Sequence, residues 1–161
     1  MNNIVGVSDM KVSNDPKDVL VTYSLGSCIG IAIYDTAARV GGLLHFMLPE
    51  SSLDLDKAAK NPFMFADTGI PRLFKASYQL GAKKQRMKVL VVGGAQVLDA
   101  KGFFNIGKRN DMAVRKMFHR NNVIVDYKDT GGNVNRTVRL AVEDGTFYLK
   151  VSGQGETRLN L

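Results

Sequence analysis

The fold is decided by residues 22–34, which read TYSLGSCIGIAIY. Apolar and β-branched residues dominate 18–23 and 29–34, and such runs bounded by turn residues predict β-strands. Gly26-Ser27-Cys28 lies between the two runs and predicts a tight corner. After a four-residue polar break, a third apolar run covers 39–47. We therefore expect three successive strands, of which the second and third pair as a hairpin.

Outward from this stretch, helical and strand patterns are mixed. Residues 49–61 are polar and lack a strong period, which predicts a long surface loop. Two segments have the spacing of helices with one buried face: the first starts at Asp67 or Thr68 as N-cap and stops at Gly81, and the second covers 108–121. These patterns predict a single α+β (mixed α/β) domain, 1–161, richer in strand than in helix. Its other predicted strands are 4–12, 87–92, 123–128, 134–143 and 146–151.

Composition excludes several classes of protein. Hydrophobic residues make up 45% and charged residues 23% of the 161 residues, which is typical of a chain with an ordinary core. A single cysteine, Cys28, excludes an internal disulfide framework and a multi-cysteine zinc site. No apolar run reaches the roughly 20 residues of a membrane helix, and no secretory signal is visible. We therefore expect a cytoplasmic protein without membrane insertion.

The net charge of +7 raises the question of an anionic partner. Basic surfaces gain affinity for nucleic acids by neutralising phosphates, but no RNA-recognition or zinc-finger motif is present. Attraction to an acidic protein accounts for the charge at least as well, and a solvated helix face accounts for part of it. We therefore expect no nucleic-acid partner. The densest basic groups are Lys83, Lys84, Arg86 and Lys88 and, on the second predicted helix, Lys108, Arg109, Arg115, Lys116 and Arg120.

The predicted hairpin brings a thiol and an imidazole together. If residues 35–38 form its loop, Tyr34 pairs with Arg39, and counting outward places Cys28 opposite His45. Directly opposed residues of antiparallel strands have Cβ atoms roughly 4.5–5.5 Å apart. This register holds only if the hairpin contains no bulge.

A cysteine, a histidine and a third polar group can form a nucleophilic triad. An imidazolium beside Cys28 would lower the thiol pKa, so we expect a partly exposed thiol with a depressed pKa. Gly26 and Ser27 would let backbone N–H groups face the site as an oxyanion hole. Thr22, on the preceding strand, would fix the tautomer of His45. The alternative from spacing alone is a small buried cysteine and a packed histidine without catalytic role.

Two further features give weaker signals. Gly93-Gly94 follows a predicted strand, but neither G-x-G-x-x-G nor a P-loop pattern accompanies it. His119 lies on a charged helix, where we expect it at the surface. The sequence therefore indicates no cofactor and no metal site.

The sequence resembles the chemoreceptor glutamine deamidase family, CheD, over nearly its whole length. No single motif is decisive, but their order and spacing are specific. The looser match is around residues 98–104. The motifs are Leu25-Gly26-Ser27-Cys28, His45-Phe46-Met47-Leu48-Pro49, Phe65-Ala66-Asp67-Thr68, Gly93-Gly94-Ala95, Asn105-Ile106-Gly107-Lys108-Arg109-Asn110 and Asp129-Thr130-Gly131-Gly132-Asn133.

The resemblance implies hydrolysis of receptor glutamine side chains to glutamate, through a thioester and without metal or organic cofactor. It assigns the nucleophile to Cys28, the histidine to His45 and the third catalytic residue to Thr22. It implies packed β-sheets flanked by helices, similar to deamidase toxins of the cytotoxic necrotizing factor type. It also implies methyl-accepting chemoreceptors as substrates and, in some members, the CheY-phosphate phosphatase CheC as a partner.

Three other activities remain open from the residues alone. A cysteine peptidase and a transglutaminase would use the same acyl-thioester chemistry. A non-enzymatic adaptor that binds a signalling protein such as CheC would use the Cys28–His45 pair only for packing.

Overall fold

The structure is a computed structural model that describes residues 1–96 and 105–161. Three α-helices are present in these ranges: α1 (Leu55–Lys60), α2 (Ala66–Gln79) and α3 (Ile106–Arg120). The strands are β1 (Asn2–Ile4), β2 (Asp9–Ser13), β3 (Val19–Leu25), β4 (Ile29–Asp35), β5 (Val40–Phe46), β6 (Met87–Gly93), β7 (Tyr127–Thr130), β8 (Arg136–Ala141), β9 (Thr146–Val151) and β10 (Glu156–Leu159).

The strands form two five-stranded sheets. The first sheet has the order β1-β3-β8-β9-β10, and the second has the order β2-β5-β4-β6-β7. Most pairs are antiparallel, but β1 pairs with β3 and β6 pairs with β7 in parallel. The two sheets pack face to face, and α2 and α3 cover the outer face of the second sheet. The expected α+β class, with packed sheets flanked by helices, is confirmed.

The central hairpin of the second sheet is buried on both faces. All seven residues of β4 and all seven of β5 are buried. Alternation along β4 sends Ile29, Ile31 and Ile33 into the core under the helices, whereas Ala32 and Tyr34 enter the core between the sheets. Since both faces are covered, the strands are apolar without the polar alternation of a half-exposed sheet.

The hairpin register differs from the expected one by two residues. Asp35 pairs with Val40, so the loop is 36–39 and Gly30, not Cys28, lies opposite His45. The carboxylate of Asp35 accepts hydrogen bonds from the N–H groups of residues 37 and 38, which keeps Asp35 in the strand as its last paired residue. A shift of two preserves the face on which each side chain lies.

Segments with weak patterns were predicted less well. The expected 49–61 loop contains a 3₁₀ turn at Ser51–Leu53 and the helix α1, whose N-cap Asp54 accepts from the N–H of Lys57. A second 3₁₀ turn, Pro62–Met64, follows directly after this segment. The expected first strand is two strands, β1 and β2, which lie in different sheets. β10 was not predicted, because its four residues are mostly exposed and carry no apolar period.

The start of α2 also differs from the prediction. Its N-cap is Phe65, not Asp67 or Thr68. Asp67 instead accepts hydrogen bonds from the N–H and hydroxyl of Ser51, and the hydroxyl of Thr68 donates to the carbonyl of Pro62. Both side chains therefore fasten α2 to the segment before it. Within the described ranges, no helix combines the length and apolar character needed to span a bilayer.

Candidate active site

The loop between β3 and β4, residues 26–28, is held by the turn that follows β6. The N–H of Ala95 donates to the carbonyl of Gly26, and the N–H of Gly94 donates to the carbonyl of Cys28, both at 2.9 Å. Gly93 adopts φ +114°, and a Cβ there would lie 2.2 Å from the carbonyl oxygen of Cys28. Glycine is therefore required where the two backbones meet.

A buried asparagine on α3 ties this loop to the strand that carries the histidine. The Nδ2 of Asn110 donates to the carbonyl of Ser27 at 2.9 Å and to that of Met47 at 2.8 Å. Met47 follows His45 by two residues, so one amide group fixes the nucleophile loop relative to the end of β5. The Oδ1 of Asn110 is buried and has no partner among the described residues.

The contacts that hold the 26–28 loop use its carbonyls and not the N–H groups of Ser27 and Cys28. In a trans peptide the C=O and N–H point in opposite directions. Because the carbonyls of Gly26 and Ser27 are bound by Ala95 and Asn110, the N–H groups of Ser27 and Cys28 point away from these partners. The N–H of Cys28 lowers the pKa of its own thiol, so it lies beside Sγ. An oxyanion hole requires N–H donors beside the nucleophilic atom, and the N–H of Cys28 lies beside its own Sγ.

His45 lies between the two sheets on the same face as the cysteine. It is 1% exposed and pairs across the hairpin with Gly30. Cys28 precedes Gly30 by two residues, directly before β4, and packs against the core between the sheets. A Cβ at Gly30 would lie 2.9 Å from Leu25 and 3.7 Å from Thr22. Glycine at position 30 thus lets the side chain of Leu25 pack directly against the strand beside His45.

Thr22 contacts the imidazole directly. Its Oγ1 lies 2.7 Å from Nδ1 of His45, and the same hydroxyl donates to the carbonyl of Val5, also at 2.7 Å. A hydroxyl has one hydrogen, so when it donates to Val5 its oxygen accepts from Nδ1–H. This arrangement selects the tautomer whose Nε2 carries the free lone pair. That Nε2 is buried and has no partner among the described residues.

Burial sets the protonation of both groups. It lowers the pKa of His45 to about 4 and raises the pKa of the half-buried Cys28 thiol, although the adjacent backbone N–H opposes the second shift. Desolvation disfavours the charged form of any group, and for the Cys28 thiol it shifts the pKa more than the hydrogen bond from the backbone N–H does. The expected depression of the thiol pKa is therefore wrong for the resting protein. Both groups are neutral at pH 7, so the imidazole can accept the thiol proton.

Two of the three predicted catalytic residues are in contact, Thr22 on the first sheet and His45 on the second. Cys28 packs against the same core between the sheets, but no hydrogen bond joins its Sγ to Nε2 of His45. Gly26 and Ser27 form the loop before Cys28. Asn110 supports this loop although its position in a motif of the sequence gave no sign of that role. Gly93-Gly94, a weak signal for a phosphate-binding turn, instead contacts the 26–28 loop.

Two further expectations concern residues outside this cluster. His119 is exposed on α3, as expected. In the part of the chain that is described, no three His, Cys, Asp or Glu side chains are grouped as metal ligands. The looser motif match around residues 98–104 lies wholly outside the described residues.

Known proteins similar to this chain form a consistent group. "Probable chemoreceptor glutamine deamidase CheD 1" of Syntrophus aciditrophicus is 60% identical over 150 residues, which cover 93% of this chain and 94% of that protein. "Probable chemoreceptor glutamine deamidase CheD" of Solibacter usitatus is 44% identical over 94% of this chain and 89% of its own length. A match of 150 residues within 161 includes residues 22–45 wherever its ends lie.

A solved structure and a family model give two further matches. The crystal structure of a Neisseria meningitidis protein of the DUF152 family has a TM-score of 0.45 and 11% identity, over 81% of this chain and 60% of that one. The model of the family described as CheD chemotactic sensory transduction matches residues 47–151. With this match and the relatives above, the chain belongs to the CheD family of chemotactic sensory transduction proteins.

Proposed function

We propose that this protein hydrolyses glutamine side chains of methyl-accepting chemoreceptors to glutamate and ammonia. One observation carries the chemistry: the 2.7 Å contact between Thr22 and Nδ1 of His45 leaves Nε2 without a partner among the described residues, on the face of the second sheet where Cys28 packs. Membership of the CheD family, whose similar proteins are named chemoreceptor glutamine deamidases, supports the substrate class. Cys28 acts as nucleophile, His45 as base and acid, and Thr22 as the group that orients the imidazole.

The acylation step begins from a neutral thiol and a neutral imidazole. Nε2 of His45 takes the proton as Sγ of Cys28 attacks the carboxamide carbon, so the costly ion pair forms only together with the new C–S bond. The carboxamide oxygen becomes an oxyanion, which accepts from the N–H groups of Ser27 and Cys28. His45 then returns the proton to the amide nitrogen, ammonia leaves, and a thioester remains.

Water completes the reaction at the same residues. Nε2 of His45 removes a proton from water as its oxygen attacks the thioester carbon, and the same N–H groups stabilise the second oxyanion. Collapse breaks the C–S bond and releases glutamate, while the proton on His45 returns to the thiolate of Cys28. The net reaction consumes one water and releases ammonia without any change of oxidation state. His45 carries the proton in every transfer. The protein works as one domain, and we place it in the cytoplasm, where chemoreceptor signalling regions lie.

The mass of the substrate separates this activity from its competitors. A purified chemoreceptor cytoplasmic fragment is incubated with the protein and with its Cys28→Ala variant. Deamidation adds about one dalton per glutamine, because NH₂ is replaced by OH at the thioester stage. A peptidase would shorten the fragment, and a transglutaminase would join it to an amine. An unchanged fragment together with a native thiol inert to iodoacetamide would contradict the proposal and favour the adaptor.

A further inference from the structure

A groove runs along the outer face of α3, on the side of the helix away from the core. We call its apolar residues, Pro49, the exposed Met112 and Ala113, the floor, and its charged residues, the cations Arg109, Arg115 and Lys116 and the carboxylate Glu50, the rim. The opposite wall is the segment Pro49–Glu50, which continues from the end of β5. The residues that line the groove are Pro49, Glu50, Arg109, Met112, Ala113, Arg115, Lys116 and His119.

The cations of this groove follow the helix period. Arg109, Met112, Lys116 and His119 recur at steps of three and four residues, so their side chains form one exposed stripe. Arg115 pairs with the carboxylate of Asp111 on the same helix. Neither Arg109 nor Lys116 has a carboxylate within ion-pair distance in the described part of the chain. The rim thus has an excess of positive charge, with two cations outside ion pairs against the single carboxylate of Glu50.

The groove adjoins the candidate active site through α3. Asn110, next to Arg109 in sequence but on the buried face, donates to the carbonyls of Ser27 and Met47. A helix with its side chains is about 10–12 Å across. An occupant of the groove therefore lies about one helix diameter from the loop that carries Cys28.

We propose that this groove binds an acidic, amphipathic helix of the glutamine-bearing substrate, packed alongside α3. The inference rests on the proposed function and adds how the substrate is recognised. An apolar floor suits the apolar stripe of a helix, and the cationic rim suits carboxylates on its flanks. A nucleic acid would match the rim but would leave Met112 and Pro49 against a charged backbone. The 15 residues of α3 offer a helix-sized contact about 22 Å long.

Charge reversal at the rim tests the proposal. The variant Arg109→Glu/Lys116→Glu is compared with Lys75→Glu/Lys83→Glu, which makes the same change in net charge at exposed cations outside the groove. With a chemoreceptor cytoplasmic fragment as substrate, we expect the rim variant to raise KM about tenfold and to leave kcat within about twofold. The control variant should keep the KM of the unsubstituted protein. Raising salt should raise the KM of the unsubstituted protein and change that of the rim variant less.

A binding measurement separates failure of the groove from failure of the proposed function. Affinity for the same fragment is measured in the Cys28→Ala background, where turnover plays no part. If the Arg109→Glu/Lys116→Glu variant binds the fragment more weakly and the control variant does not, the groove proposal is supported. This holds even if the fragment is never deamidated, a result that would contradict only the proposed function. Equal binding, or equal KM, for the rim and control variants overturns the groove. Binding of duplex DNA that depends on Arg109 and Lys116, with none of the fragment, also overturns it.

Discussion

Thr22 and His45 belong to different sheets, yet their side chains meet at 2.7 Å between Oγ1 and Nδ1. Thr22 lies on β3 of the first sheet, and His45 lies on β5 of the second. The same hydroxyl donates to the carbonyl of Val5, which precedes β2. The orientation of the imidazole therefore depends on the packing of the two sheets as well as on the hairpin that carries Cys28.

Removing the hydroxyl of Thr22 should slow the reaction without abolishing it. Thr22→Val keeps the shape of the side chain but leaves Nδ1 of His45 and the carbonyl of Val5 without their partner, so the imidazole can adopt the wrong tautomer. We expect kcat to fall about tenfold, since one hydrogen bond contributes roughly 0.5–1.5 kcal/mol net. Thr22→Ser retains the hydroxyl and should stay close to the unsubstituted rate. Equal rates for the two variants in single-turnover deamidation would remove Thr22 from the mechanism.

The pH dependence of activity should have its acid limb well below that of an ordinary histidine. Burial lowers the pKa of His45 to about 4, and the mechanism needs the neutral imidazole. Activity should therefore persist as pH falls through 6.5 and decline only near 4. The profile of kcat/KM reports the free enzyme, so it is the quantity to measure. A midpoint between 6 and 7, in protein shown to be folded by circular dichroism, would contradict a buried neutral base.

The same residue should make folding stability depend on pH. The pKa of His45 is lower in the folded state than the usual 6.5, so below pH 6.5 the unfolded chain binds a proton that the folded protein does not. The contribution of neutral His45 to the free energy of unfolding is fully present above pH 6.5. It is lost as the pH falls towards 4, and the whole loss for this pKa shift is about 3 kcal/mol. His45→Asn should lack this loss. Urea unfolding of both proteins between pH 7 and 4.5 measures the difference, and parallel curves would refute the assignment.

The hairpin shows what the sequence predicts well and where it fails. The uninterrupted apolar runs of β4 and β5 identify two buried strands, and their period places Cys28 and His45 on one face. The register was wrong by two residues because it depends on Asp35, whose carboxylate bonds the N–H groups of the loop. Such a side-chain contact is local in the chain but leaves no periodic signal. A register error of two residues, unlike an error of one, leaves each side chain on its predicted face of the sheet.

The electrostatics and the support of the site depend on tertiary packing. The spacing of Cys28 and His45 predicts that they lie on one face of the hairpin but says nothing of their burial, and burial decides the direction of both pKa shifts. Asn110 lies 82 residues beyond Cys28 and reaches the loop only because α3 covers the second sheet. A single polar residue on a helix gives no indication, from its own position, of which distant carbonyls it will bind.

Asn110 should be required for both stability and turnover. Asn110→Asp replaces the donor to Ser27 and Met47 by an acceptor, which leaves two carbonyls facing a buried carboxylate. We expect a loss of about 1–3 kcal/mol in the free energy of unfolding, more if the carboxylate stays charged, and a lower kcat in the folded fraction. Asn122→Asp makes the same change at an exposed residue after α3 and serves as the control. If Asn110→Asp deamidates the fragment at the rate of this control, Asn110 does not position the loop.

The last prediction concerns the close approach of α3 to the turn that holds the nucleophile loop. A Cβ at Gly107 would lie 2.3 Å from the carbonyl oxygen of Ala95 and 2.5 Å from that of Gly94. These are backbone atoms that cannot rotate away, and the same two residues donate to the carbonyls of Gly26 and Cys28.

Gly107→Ala should therefore push the turn away from α3 and release the loop. Alanine favours a helix over glycine by about 1 kcal/mol, but overpacking against backbone costs typically 1–3 kcal/mol or more, so the net effect should be a loss of stability. We also expect lower kcat and faster alkylation of Cys28 by iodoacetamide, because its loop opens to solvent. Gly6→Ala is the matched control, since a Cβ at Gly6 meets nothing within 4 Å. A Gly107→Ala protein as stable and as active as Gly6→Ala would show that the turn does not need this close contact to hold Cys28 in place.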